Sequence, residues 1–412
     1  MINKIHINST INYLVVAYAF ILPLSRAGIV AFTALLFILW IIEGKFRDKF
    51  RQIFKCKFTL SLIIFLIFST LSLLWAQEQN LKEGINYIRK YWYLLILFPI
   101  FTSLKHEYIP KILYAFLAGM SVSVIISWGI YFDWWQVKEV TAGSLSPFMY
   151  HVFYSIFLAF SSLLALNFAL NSKDKRVIFL HIFLAILFTG ILFLGIGRTG
   201  QVILVVGIFL LLINNFKHKI RAISIALILS TILIGTFYTF NDTFKQRINF
   251  IKSDIVQTLV EENYCNSLGG RAFTWVITYE IVKEHPIIGI GLGDHLEYLR
   301  DTMDSDERFS TCHLKNMIVY FHGQYIEIVA QIGLLGLISF LAIFYFLMSI
   351  SIKNNIINNI KIILIMTFLL VFFVDVPFRK QFSLALFALM SGIIIRQKIQ
   401  EDKSNKIGKH NA

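Results

Sequence analysis

The sequence predicts an all-α polytopic membrane protein of about 12 transmembrane helices, with a large soluble loop between helices 9 and 10. Three observations lead there. The 412 residues are 57% hydrophobic, with a mean hydropathy of +0.70, and only 15% are charged. Soluble domains carry about 25% charged residues, so this chain has too little polar surface to face water. Its apolar runs are long and continuous rather than alternating, which selects helices over a barrel, because hydrocarbon offers the backbone no other partner. Finally, Lys and Arg gather in alternate connections between the runs.

The runs fall at about residues 11–24, 27–42, 58–75, 91–104, 112–132, 147–170, 177–194, 200–214, 222–239, 324–350, 361–375 and 382–395. Several are shorter than the roughly 20 residues that span a bilayer, and are expected to extend into flanking aromatic and polar residues. Residues 1–10 carry Lys4 ahead of an apolar run, as a signal peptide would. No small-residue cleavage site follows and a second run begins almost at once, so the first run reads as a retained helix.

Orientation follows the basic residues. Residues 45–57 hold six of them; Lys173, Lys175 and Arg176 follow the sixth run, and Lys217, Lys219 and Arg221 the eighth. Arg396, Lys398, Lys403, Lys406 and Lys409 lie in the C-terminal tail. With twelve spans and both termini inside, the inner face holds 22 basic and 6 acidic residues, and the outer face 16 basic and 18 acidic. The net charge of +14 is therefore a topology signal and not a nucleic-acid footprint. The expected organisation is transmembrane helices 1–9 over residues 1–239, an outer loop with short amphipathic helices over 240–323, helices 10–12 over 324–396, and a basic inner tail over 397–412. The Asn-rich stretch 352–361 reads as a polar turn on the inner face.

The outer loop contains Cys265 and Cys312. On an oxidising face these can form a disulfide; two free thiols are the alternative. Cys56 lies on the reducing side.

Ionisable groups at the outer ends of membrane helices are costly and tend to be functional. Arg198, in GIGRTGQ, stands at the expected N-terminus of the eighth span, where Thr199 can cap the helix. A helix N-terminus with an Arg suits a phosphate; an interfacial Arg reaching for headgroups is the plainer reading. Gly269-Gly270-Arg271 opens a helix of about fourteen residues that Pro286 stops, and Phe273, Trp275 and Tyr279 would lay it on the membrane surface. Arg271 is again near a helix N-terminus, though a lone Arg is more often an ordinary surface residue. His322 precedes the tenth span, where the helix dipole disfavours the imidazolium and keeps the ring able to accept a proton. The alternative is an interfacial His with a structural hydrogen bond.

Other patterns are set aside. Gly289, Gly291 and Gly293 imitate a dinucleotide fingerprint without its strand. Asp304 and Asp306 imitate a metal-binding acidic pair, but nucleotide sugars are absent outside, so they read as a solvated turn. The first outer loop, PLSRAG, lacks the acidic residue that metal-using membrane glycosyltransferases carry. His285, His295 and His313 lack metal-ligand spacing. No cofactor and no metal are expected.

On these residues the chain resembles the bacterial O-antigen ligase and polymerase superfamily. The resemblance covers the span count, the inner termini and the outer loop between spans nine and ten. It also covers Arg198, the Arg-x-x-x-Trp helix leading to Pro-x-x-Gly-x-Gly (Arg271, Trp275, Pro286, Gly289, Gly291), and the His opening a helix that ends in Gly-Leu-Leu-Gly (His322, Gly333, Gly336). The family usually has Asn, or another small polar residue, directly after the His; here Gly323 follows, then Gln324, which can supply that polar group. The resemblance implies a bacterial inner-membrane ligase with cytoplasmic termini and a periplasmic active site. It would move glycan from undecaprenyl diphosphate to the lipid A core by inverting, metal-independent glycosyl transfer. His322 would be the base and Arg198 and Arg271 would hold the diphosphate, with Gln324, Trp275 and Thr199 in support. An O-antigen polymerase or a protein O-oligosaccharyltransferase would use the same donor. A lipid or solute transporter would want charges near mid-bilayer, and no predicted span carries one there.

Overall fold

The computed structural model of the chain describes residues 4–137, 145–260, 266–305 and 321–410. Among these residues every regular element is a helix. In order they are α1 (Lys4–Ile21), α2 (Arg26–Glu43), α3 (Phe46–Lys55), α4 (Lys57–Leu71), α5 (Leu81–Tyr91), α6 (Leu97–Ser103), α7 (Ile109–Tyr131), α8 (His151–Asn171) and α9 (Lys175–Leu194). There follow α10 (Arg198–Asn215), α11 (Lys219–Phe240), α12 (Asp242–Leu259), α13 (Ser267–Glu284), α14 (His295–Ser305), α15 (Gln324–Met348), α16 (Asn355–Val371) and α17 (Gln381–His410). Nine of the described helical stretches are long and apolar enough to cross a membrane, and Ile7–Ile21 and Asn355–Val371 are shorter apolar helices.

The run expected at 91–104 differs most from expectation. Helix begins ten residues earlier, at Leu81, tightens to a 3-10 turn over Trp92–Ile96, and resumes as α6. Hydropathy misses α5 because one side carries Lys82, Glu83, Asn86, Arg89 and Lys90. The tightened turn has a local cause: Pro99 lacks an N–H, and its ring crowds the carbonyl four residues back. The last helix, α17, continues through the residues expected as a separate tail.

The Asn-rich stretch is not a turn. Asn354 caps α16 by accepting from the Ile357 N–H at 3.1 Å, and the stretch continues as its first turns. Asn359, buried, donates to Asn167 of α8 at 2.7 Å and accepts from Asn214 of α10. Amides at helical spacing thus clasp three helices where hydrocarbon would leave them unsatisfied.

Most of the apolar core is one cluster running through α1 to α10, α15, α16 and α17. A second, smaller core joins α13 and α14 to the start of α15: Phe273, Ile277, Ile281, Leu299, Met303, Phe321, Ile326 and Ala330.

The helix opened at Gln324 runs to Met348, close to the expected 324–350, but is broken at the first glycine of Gly-Leu-Leu-Gly by a kink at Ile332–Gly333. The stretch that imitates a dinucleotide fingerprint docks into this kink. Ile290 and Gly291 donate to the carbonyls of Ala330 and Gln331 at 3.1 and 2.9 Å, and Leu334 and Leu335 donate to those of Pro286 and Ile287 at 3.0 and 3.1 Å. Backbone groups freed by the kink are therefore re-paired by the loop, as the membrane interface demands. Both sides need glycine. Gly333 has φ +66°, and a Cβ there would lie 2.2 Å from the Ile287 oxygen; Gly289 has φ +69° and its Cβ would meet Gln331 backbone at 2.5 Å. Gly333→Ala is expected to cost about 1–3 kcal/mol in backbone strain alone, with the steric overlap added. The midpoint of thermal unfolding in detergent should fall further than for Gly336→Ala, whose Cβ meets only the Ile332 side chain. Equal midpoints would show that the loop and kink are not locked together.

Candidate functional site

Beneath the turns at one end of the bundle lies a fully buried carboxylate, Glu327, in the first turn of α15. Tyr87 of α5 donates to its Oε1 at 2.7 Å, and Gln324 Nε2 donates to Oε2 at 3.1 Å. His295 Nε2 stands 3.5 Å away and Arg379 approaches at 3.4 Å. A buried carboxylate is tolerable only when paired and hydrogen-bonded, and this one is both. Burial pushes the His295 imidazole below its ordinary value even though Glu327 pulls the other way. His295 packs here with its Nε2 3.1 Å from the Tyr87 hydroxyl. Gln324 completes the knot: its Oε1 accepts from the Phe378 N–H at 2.9 Å, and its own N–H donates to Phe372 and Asp375 carbonyls at 2.8 and 3.1 Å. The entry to α15 is thereby bound to the turn over Phe372–Lys380.

Above this knot sits the predicted histidine. Phe321 is buried in the small α13–α14–α15 core, so the next residue, His322, is delivered beside α13. Arg271 reaches it from there. Burial, then the Arg271 charge, lowers the His322 pKa to about 4. The dipole argument had the right direction, but desolvation and a cation are the causes. Arg271 also acts on Asp375 and Tyr150. Asp375 is nearly buried; burial raises its pKa, while the Val376 N–H bonds its Oδ1 at 2.7 Å. The structure therefore brings His322, Arg271, Asp375 and Tyr150 to one corner.

Tyr150 opens from this corner into a cavity of about 410 Å³. Its walls carry five cationic residues: Arg26 at the start of α2, Arg89 and Lys90 from α5, and Arg379 and Lys380 before α17. Burial holds the Lys380 ammonium below its usual value, with Asp375 opposing and Arg379 and Arg26 adding repulsion. Like charges gathered in a half-enclosed space repel one another until an anion joins them.

The other predicted residues lie as follows. Arg198 is exposed and lines a different, mostly apolar pocket of about 290 Å³ with Gln201, Val202, Ile234, Phe244 and Ile248. It begins α10 as expected, but Thr199 does not cap the helix: the cap position is Gly197, with no side-chain bond there. The reason is close packing on α8. A Cβ at Gly197 would lie 2.2 Å from the Ser155 Cβ, and the Ser155 hydroxyl itself accepts from the Gly200 N–H at 3.2 Å. α13 begins before the two glycines, because Asn266 accepts from the N–H groups of Leu268 and Gly269 at 3.0 and 2.8 Å. Its aromatic residues divide: Phe273 is buried, whereas Trp275 and Tyr279 are 47% and 61% exposed. Cys265, Cys312, Asp306 and His313 lie outside the described residues; Cys56 is a free thiol.

Sequence reasoning missed Glu327, Asp375, Arg379, Lys380, Arg26, Arg89 and Lys90. The signal for Asp375 and Arg379 was present, since VDVPFRK places an acid and two bases between apolar runs. Arg89 and Lys90 were hidden by the amphipathic character of α5.

The fold and these helix-end clusters define a multi-pass membrane protein that gathers charge at one end of its bundle. Residues 182–341 match the family model described as O-antigen ligase, which supports membership of that superfamily. Members of that family are ligases and polymerases acting on lipid-linked glycans, which at a coarse level supports a glycan transferase. The matched stretch contains Arg198, Arg271 and His322, and leaves out Asp375 and all five cationic residues of the cavity. A protein of Haemophilus influenzae described only as uncharacterized is 27% identical over 289 residues, covering 66% of this chain and 69% of that protein.

Proposed function

We propose that the chain is an O-antigen ligase of the bacterial inner membrane, moving glycan from undecaprenyl diphosphate to the lipid A core on the periplasmic face. The observation that carries this reading is a histidine held neutral beside a cavity walled by five cationic residues. In the reaction a core sugar hydroxyl attacks the anomeric carbon of the donor. The bond from that carbon to the diphosphate oxygen breaks with inversion, and the electron pair leaves with the diphosphate. Arg271 and the cavity residues stabilise that departing charge, Arg by paired N–H donors. Arg198, at the mouth of its apolar pocket, meets the lipid part of the donor where phosphate gives way to prenyl chain. His322 takes the hydroxyl proton. Asp375 is a positioning residue, acting through Arg271 and His322. No step calls for a metal.

Purified chain, reconstituted with lipid-linked glycan and lipid A core, should yield glycan on the core. It should do so in right-side-out vesicles with both substrates supplied outside, and not in inverted ones. Arg379→Ala combined with Lys380→Ala should lower transfer at least tenfold, as expected for lost charge-assisted contacts. Growth of the lipid-linked glycan instead of transfer to the core would make the chain a polymerase.

A further inference from the structure

A second cavity, of about 600 Å³, opens at the same end of the molecule, between the turn after α4 and the segment joining α13 to α14. Its chemistry is the reverse of the first. Glu284, Asp294, Glu297 and Asp301 line it, with Trp75 and Tyr298, and no Lys or Arg is among its lining residues. The two innermost carboxylates are already engaged. Asp294 accepts from the Gln77 N–H at 3.0 Å, and Glu297 accepts from Gln79 and Asn80 at 2.6 Å each. Glu284 and Asp301 stand exposed on the walls. Trp75 lends part of its indole ring to the wall, while its N–H is itself inaccessible. Among the described residues no three His, Cys, Asp or Glu side chains converge to hold a metal ion.

Aromatic faces, carboxylates and an amide are groups that recognise sugars: rings stack on the apolar faces of pyranoses, and carboxylates accept from paired hydroxyls. We propose that this cleft binds the glycan portion of a substrate, selecting neutral or amino sugars and repelling acidic ones. Asp294 lines the cleft and its neighbour His295 touches the Glu327 knot, whose far side is Arg379 of the cationic cavity. Sugar and phosphate are thus sorted by charge into two adjoining spaces. The inference rests on the transfer reading, and does not decide whether the bound sugar belongs to donor or acceptor.

The test is photo-crosslinking in the native bacterium, with p-benzoylphenylalanine placed at Ile288 on the cleft wall or, as control, at the exposed Ile186 on α9. Sugar-bearing adducts are expected at Ile288 and not at Ile186. They should persist with His322→Ala, which stops transfer without emptying the cleft. Cells that cannot assemble the lipid-linked glycan lose the adduct if the bound sugar is the donor's; cells that cannot build the core lose it if it is the acceptor's. Trp75→Ala, which removes the stacking face, should raise one substrate's KM by about five- to tenfold, the worth of one aromatic contact, with kcat unchanged. Adducts free of sugar at Ile288, while transfer proceeds normally, overturn the cleft alone. Sugar-bearing adducts in a chain that keeps His322 yet shows no transfer overturn the ligase reading alone.

Discussion

His322→Ala is expected to reduce glycan transfer by on the order of a hundredfold or more, the usual worth of a positioned general base, while donor binding persists. Burial and the Arg271 charge hold the imidazole at about 4. The competent form is the neutral one, so activity should be flat from pH 8 down to about 5 and fall only as pH drops through about 4. An exposed histidine would lose activity near 6.5. A weakly basic imidazole is a modest proton acceptor, but the donor is already activated by its diphosphate. The proton need move only late, as the hydroxyl oxygen becomes cationic on bonding to carbon. His322→Gln separates base from positioner, since the amide can hydrogen-bond but cannot take up a proton. Near-normal transfer by the Gln variant, with the acid limb gone, would assign His322 to holding the acceptor; Asp375→Asn would then be the next variant to assay.

Arg271→Ala is expected to remove transfer as completely and to leave a second mark. The arginine stabilises the departing diphosphate and also depresses the His322 pKa. Without it one of the two lowering influences is gone, so the acid limb of any residual activity should move up from about 4. Arg271→Lys keeps a positive charge near the ring and so keeps the limb low. It lacks the planar fork that grips two phosphate oxygens, and transfer should still fall at least tenfold. The pair of variants separates the two roles. Should the lysine variant work at full rate, bulk charge at that position is sufficient and the bidentate contact is not used.

Much of this was legible before any coordinates. Arg271 and His322 stood out because each breaks an apolar neighbourhood beside a predicted helix start, and the structure does bring them together. The glycines of GIGLG and GLLG stood out as motifs, but their purpose was not readable. They lock a loop onto a kink forty residues away, and nothing in either local pattern names the other. Thr199 failed as a cap because the acceptor for that helix end is Ser155 of another helix. A capping rule applied along one chain segment cannot see a neighbour packed within bond distance. The division of the α13 aromatics into buried Phe273 and exposed Trp275 and Tyr279 was likewise set by where α14 and α15 lie.

The sequence by itself determined that the chain is a helical membrane protein, because hydrocarbon enforces backbone pairing within each run and the runs are written in composition. It also singled out Arg198, Arg271 and His322 near helix starts, since an ionisable group beside a span is expensive enough to be visible singly. Only the tertiary structure decided which of those charges share a space. Arg26, Arg89, Lys90, Arg379 and Lys380 come from three separate stretches of chain and meet in one cavity. Glu284, Asp294, Glu297 and Asp301 meet Trp75 in another. Electrostatic interaction depends on distance through space and on the water excluded between groups, and neither is a property of position along the chain.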